Sequence, residues 1–116
     1  MKILYVEDMP LDAELVQRYI DVTPHELVIA TTLDAARQAL QNNPDLILLD
    51  VVLNDTKSGY GFVRELRTQH FTHPIIAVTA LALPKDIEQC YEAGFTAVLV
   101  KPFELKHLAA LLAQYA

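Results

Sequence analysis

KILYVEDMP, residues 2–10, joins a strand to a helix through two acids. Ile3, Leu4, Tyr5 and Val6 show no polar alternation, which fits a strand buried on both faces of a parallel sheet. Pro10 suits a first helical turn, and Leu11, Leu15, Val16 and Tyr19 then fall on one helical face. The same pairing recurs along the chain. Short apolar runs stand at Leu27–Ala30, Leu46–Leu49, Ile75–Val78 and Ala97–Val100, and the first of these could reach back to Glu26. Helical patterns lie between and after them. Thr32 has the chemistry of an N-cap for a helix through Ala36, Ala39 and Leu40, stopped by Asn42-Asn43-Pro44. Phe62, Val63 and Leu66 start a third face after Gly61. Pro84 opens a helix with Ile87 and Tyr91 that Gly94 ends, and Leu105, Leu108, Leu112 and Tyr115 form the last. Five strands alternating with five helices predict a doubly wound α/β domain, with a parallel sheet covered on both faces.

Composition narrows the function. The 116 residues suffice for one domain spanning 1–116, with no output domain expected in this chain. A hydrophobic content of 53% supports a packed core. A net charge of −6 disfavours direct nucleic-acid binding, which relies on cationic side chains. The lone Cys90 permits no internal disulfide, which suggests a reducing compartment. No apolar run approaches the ~20 residues that span a bilayer. A cytoplasmic domain without membrane contact is the expectation.

In doubly wound sheets, ligands bind beyond the carboxyl ends of the strands. Those ends here deliver Glu7 and Asp8, then Asp50 as the last residue of "DLILLD", Thr79 after "IIAV", and Lys101 after "AVLV". Alone, each has an ordinary explanation: a turn acid, a cap, a solvated lysine. Together they place three acids, a hydroxyl and an ammonium on one rim. Adjacent carboxylates repel by about 4 kcal/mol at an effective dielectric near 20, so something must offset them. Clustered carboxylates suit a hard cation such as Mg²⁺. A metal, a lysine and a hydroxyl around Asp50 suit phosphoryl transfer, with Asp50 as nucleophile and an acyl phosphate as product.

These motifs resemble the two-component response-regulator receiver domain: "VED" at Val6–Asp8, "LILLD" ending at Asp50, "VTA" at Val78–Ala80, "EAGF" at Glu92–Phe95 and "VKPF" at Val100–Phe103. The resemblance spans essentially the whole chain. It implies a flavodoxin-like (βα)5 fold with strand order 2-1-3-4-5. It makes Asp50 the phosphoacceptor and Glu7, Asp8, Asp50 and the Val52 carbonyl the Mg²⁺ ligands. Thr79 becomes the switch hydroxyl and Lys101 the family's lysine, often followed by a cis Pro102 peptide. Small Ala80 leaves the acceptor accessible. The partners implied are a histidine kinase or histidine phosphotransfer protein and a downstream protein. Any catalysis would be limited to self-phosphorylation and slow autodephosphorylation. In this family the side chains two residues after the acceptor and two after the switch threonine border the hydrolytic water. Here they are Val52 and Leu81, and neither can hydrogen-bond it.

Three departures stand out. Asn54 replaces a usual proline, "LNDTKSGYG" looks a few residues long, and Val98 occupies the usual place of the switch aromatic. The long loop includes Tyr60 as a candidate contact residue. Cys90 reads as a packing residue, and His25, His70, His73 and His107 lack ligand spacing. Competing readings are a Mg²⁺-dependent aspartyl-nucleophile phosphohydrolase, a flavodoxin-like cofactor binder, and a receiver domain cut from a hybrid kinase or larger regulator. Val52, where such hydrolases carry a second acid, argues against the first. Carboxylates at the first strand's end argue against an anionic cofactor.

Overall fold

The apolar runs pair side by side into one parallel sheet. A computed structural model describes residues 1–116. Strands β1 (Lys2–Val6), β2 (Glu26–Ala30), β3 (Leu46–Leu49), β4 (Ile75–Thr79) and β5 (Ala97–Val100) alternate with helices α1 (Pro10–Asp21), α2 (Leu33–Ala39), α3 (Ser58–Thr68), α4 (Pro84–Ala93) and α5 (Leu105–Tyr115). The strand order is β2-β1-β3-β4-β5, all parallel. The flavodoxin-like order implied by the resemblance is therefore the observed one.

Strand periodicity sorts each run between two cores. Leu4, Val6, Ile47 and Leu49 face α2, α3 and α4, where Ala36, Phe62, Val63, Leu66 and Cys90 meet them. Ile3, Tyr5, Leu46 and Leu48 face α1 and α5, against Val16, Ile20, Leu108 and Leu112. Both faces are apolar because both are covered, which is why no run alternates with polar residues. Thr32 caps α2 as expected, its Oγ1 accepting from the Ala35 amide at 3.1 Å. A 3₁₀ turn, Leu40–Asn42, follows α2, and left-handed Asn43 ends it. Cys90 is buried, in keeping with a packing role.

The segment after β3 departs from expectation. α3 begins at Ser58, so Gly59, Tyr60 and Gly61 are helical rather than loop. Tyr60 is buried against α4, with its hydroxyl 3.5 Å from the Asp86 carbonyl, and offers no exposed contact. The segment leading into α3 closes in a tight turn. Leu53 and Thr56 exchange both backbone hydrogen bonds, at 2.9 and 3.1 Å, across Asn54 and Asp55. Both central residues have positive φ, 50° and 61°, a geometry that Asn and Asp tolerate better than other side chains. The usual proline could not adopt it, because its ring fixes φ near −65°.

Gly59 ties this segment to the sheet. A Cβ there would lie 2.6 Å from the Asp50 carbonyl oxygen and 2.6 Å from Val51 Cα. Its amide donates to the Val51 carbonyl at 2.9 Å. The first turn of α3 thus packs directly on the backbone that carries Asp50.

Candidate functional site

Parallel register brings four strand ends to one rim. The Glu7 amide continues the ladder to the Ala30 carbonyl at 2.9 Å, and the Asp50 amide reaches the Val6 carbonyl at 3.1 Å. On the other side, the Lys101 amide donates to the Thr79 carbonyl at 2.8 Å. The backbone alone therefore sets Asp50 beside Glu7, and Lys101 beside Thr79.

The Lys101 side chain crosses this rim and is only 12% exposed. Its Nζ donates to Glu7 Oε1 at 2.6 Å, Asp12 Oδ2 at 2.9 Å and Asp50 Oδ2 at 2.9 Å. An ammonium has three protons and no acceptor, so each proton has a carboxyl oxygen as its partner. Burial works against the lysine's charge, but these hydrogen bonds outweigh it and push its pKa above the ordinary value. Glu7, at the end of β1, is thus partnered from the end of β5, by a residue remote in sequence.

Glu7, fully buried, behaves differently from Asp8. Burial, aided by the neighbouring Asp50 carboxylate, pushes the Glu7 carboxyl from 4.5 up to about 9. Its Oε2 is buried without a hydrogen-bond partner. Asp8 is half-exposed, and its Oδ2 accepts from the Asn54 amide at 2.8 Å. Asp50 Oδ1 accepts from the Val52 amide at 3.0 Å. One carboxylate oxygen from each of Glu7, Asp8 and Asp50 can be chosen so that all lie within 4.8 Å of one another. This all-oxygen donor set, with an orphaned buried oxygen on Glu7, fits a hard divalent cation.

The site opens into a cleft of about 260 Å³ lined by Asp8, Met9, Asp50, Val52, Asp55, Ala80 and Lys101. Ala80 borders the acceptor, as its size suggests. Thr79 stands at the rim but does not join the lysine network. It is fully buried, and its Oγ1 accepts from the Leu81 amide at 3.1 Å. Leu81 packs against the core under α2, α3 and α4 and does not line the cleft. Val98, half-buried, joins the same core. The Lys101–Pro102 peptide is cis. The four histidines lie outside the cleft lining.

Two acids escaped the sequence reading. Asp12 lies in the first turn of α1, where an acid is ordinarily a favourable partner for the helix dipole. Asp55 enters the cleft only because the Asn54–Asp55 turn folds back. Nothing in local sequence pattern marks either as a site residue.

The family model for the response regulator receiver domain matches residues 3–113. The chain belongs to the response-regulator receiver family. Among curated proteins, it is 31% identical to the probable C4-dicarboxylate response regulator DctR of Halalkalibacterium halodurans, over 99% of this chain and 51% of that one. The receiver fold extends to solved structures. The BeF₃-activated receiver domain of Klebsiella pneumoniae RstA superposes with a TM-score of 0.90 at 28% identity, covering 99% of this chain and 97% of that one. The receiver domain of the sensor histidine kinase PA1611 from Pseudomonas aeruginosa has a TM-score of 0.85 and 32% identity. Coverage is 98% of this chain and 95% of that domain, and that structure has a magnesium ion coordinated in the active-site cleft. This receiver chain spans about half the length of DctR. No helix in it is long and apolar enough to cross a membrane.

Proposed function

We propose that Asp50 is the phosphoacceptor of this receiver domain, taking a phosphoryl group from a histidine kinase or a histidine phosphotransfer protein. The observation that carries this is the position of its carboxylate in an open cleft, 2.9 Å from the Lys101 ammonium and beside Glu7 and Asp8. In the reaction an Asp50 oxygen attacks phosphorus, the bond from phosphorus to the donor's imidazole nitrogen breaks, and an acyl phosphate forms. Lys101 would neutralise charge on the equatorial oxygens. Glu7, Asp8, Asp50 and the Val52 carbonyl would hold Mg²⁺, which supplies further charge neutralisation when bound. Beside the cleft, a second cavity of about 330 Å³ presents Met9, Leu15, Pro102 and Phe103. These apolar side chains suit a protein donor that must bring its histidine to Asp50.

The phosphohydrolase alternative lacks the second acid two residues after the nucleophile. Val52 stands where a second acid would act, and it lines the cleft. The two readings part in one assay with acetyl phosphate and a phosphate monoester. A receiver takes up about one phosphoryl group per chain, by the one-nucleophile chemistry of its acceptor, and leaves the monoester intact. Sustained monoester hydrolysis would support the enzyme instead. Output is proposed to pass to a partner protein without an aromatic rotamer switch, since Val98 is β-branched and stiff at χ1.

Cation binding is expected to release a proton. Glu7, raised to about 9, is protonated at neutral pH in the metal-free protein. A metal takes the carboxylate, so about one proton leaves on binding at pH 7. Affinity for Mg²⁺ then rises with pH until Glu7 ionises near 9 in the folded protein. The stability of the metal-free fold runs the other way. The folded state holds the extra proton between the unfolded value of 4.5 and about 9, so this group's contribution falls as pH rises through that window. Calorimetric Mg²⁺ titrations at pH 7 in two buffers of different ionisation enthalpy measure the release. Identical heats in the two would contradict it.

The acyl phosphate is expected to be long-lived. Val52 borders the acceptor and cannot orient a water. Val52→Asn, which can, should shorten the phosphoryl lifetime several-fold, within the ~10²–10⁴ range open to acid–base and positioning effects. Decay is followed by intact mass after the donor is removed; an unchanged lifetime would show that this side chain does not govern water access.

A further inference from the structure

We infer that Asp12 is a positioning residue for Lys101: its carboxylate, in the first turn of α1, anchors the ammonium beside the phosphoacceptor. This rests on the receiver reading above and adds a residue to it. Nζ lies 2.9 Å from Asp12 Oδ2, the same distance as from Asp50 Oδ2. Lys101 is drawn equally toward α1 and toward the acceptor, with Glu7 between at 2.6 Å.

The three partners differ in what transfer does to them. Esterification of Asp50 removes its formal charge, and the negative charge moves outward onto the phosphoryl oxygens. Glu7 belongs to the acidic group that suits a cation, so it would turn its carboxyl to the metal when one binds. Asp12 belongs to neither set. Its hold on Lys101 is the one that persists unchanged while the lysine turns from the carboxylate to the phosphoryl oxygen. A flexible four-carbon stem loses rotamer freedom when fixed, and a partner that fixes it beforehand removes that cost from the reaction. At 33% exposure the Asp12 side chain is reachable by solvent but not free in it. Burial opposes its charge, and the hydrogen bond from Lys101 overcomes this and lowers its pKa.

The ordinary role of a first-turn acid is to complement the helix dipole. That role makes a different prediction. A bystander acid beside the cleft repels an anionic donor, so Asp12→Asn would raise the rate of uptake. A positioning acid has the opposite sign at saturation.

The experiment uses phosphoramidate with Mg²⁺ and follows uptake by intact mass. Asp12→Asn is expected to lower the saturated rate about fivefold, as suits a partly exposed charge-assisted hydrogen bond. The half-saturating donor concentration should stay level or fall. Asp12→Glu should recover much of the lost rate. In the unphosphorylated protein, the Lys101 Nζ chemical shift, read through its Hε protons, should move in Asp12→Asn toward the shifts of exposed Lys85 and Lys106. A saturated rate equal to or above wild type in Asp12→Asn, or an unmoved Lys101 Nζ shift, would overturn the proposal. Should the wild type take up no phosphoryl group, the receiver reading fails while the Nζ shift still decides this one.

Discussion

Asp50→Asn is expected to lose phosphoryl uptake by at least about a thousandfold, the scale on which removal of a covalent nucleophile acts. An amide is a poor nucleophile and cannot form the acyl phosphate. The fold should survive. The amide oxygen left in Asp50→Asn can still accept from Lys101, and Glu7 and Asp12 remain as partners of that ammonium. Intact mass after acetyl phosphate and Mg²⁺ is the readout, with a thermal melt as control. Uptake by a folded Asp50→Asn at the wild-type rate would place the acceptor elsewhere.

The second large effect is on stability and sets two glycines of α3 apart. Gly59→Ala should cost about 3 kcal/mol, at the upper end for overpacking, because the added methyl meets fixed backbone. The Asp50 carbonyl oxygen and Val51 Cα, both 2.6 Å from that Cβ, have no rotamer to escape into. Against a domain stability of ~5–15 kcal/mol this is a severe loss. It should also displace Asp50 and slow phosphorylation. Gly61→Ala, two residues on, meets nothing within 4 Å. It should stabilise by about 0.5–1 kcal/mol, the usual gain of alanine over glycine inside a helix. Urea midpoints give both values. Equal midpoints for the two variants would mean that α3 does not sit on the acceptor loop as described.

These glycines also show where sequence reading stopped. Two glycines in Ser58-Gly59-Tyr60-Gly61 lower helix propensity, so the third helix reads as beginning after Gly61. It begins at Ser58 because Gly59 lets the helix close on Val51 and because Tyr60 finds a buried place against α4. That is a tertiary effect, invisible to local pattern. The strands were legible for the opposite reason. Runs such as Leu46–Leu49 are buried on both faces, so composition alone marks them. Strand order was not in the residues at all and came only through the resemblance.

The site divides along the same line. Glu7, Asp8, Asp50 and Lys101 were readable because each ends a strand, and parallel strands share a rim. Thr79 was placed correctly on that rim, yet its hydroxyl engages the Leu81 amide and not the lysine network. Asp12 was missed because it sits on a helix, at a position whose ordinary explanation needs no site. The partner that balances Glu7 was also beyond local reading, since Lys101 comes from the last strand's end.

The most direct test asks which side chain carries the phosphoryl group. Wild-type protein is loaded from phosphoramidate with Mg²⁺, reduced with borohydride and mapped by peptide mass spectrometry. Borohydride converts an aspartyl phosphate to homoserine and so marks the acceptor covalently. The mark is predicted at Asp50 and nowhere else; a mark on Glu7, Asp8, Asp12 or Asp55, or phosphate retained on a histidine, would contradict the assignment.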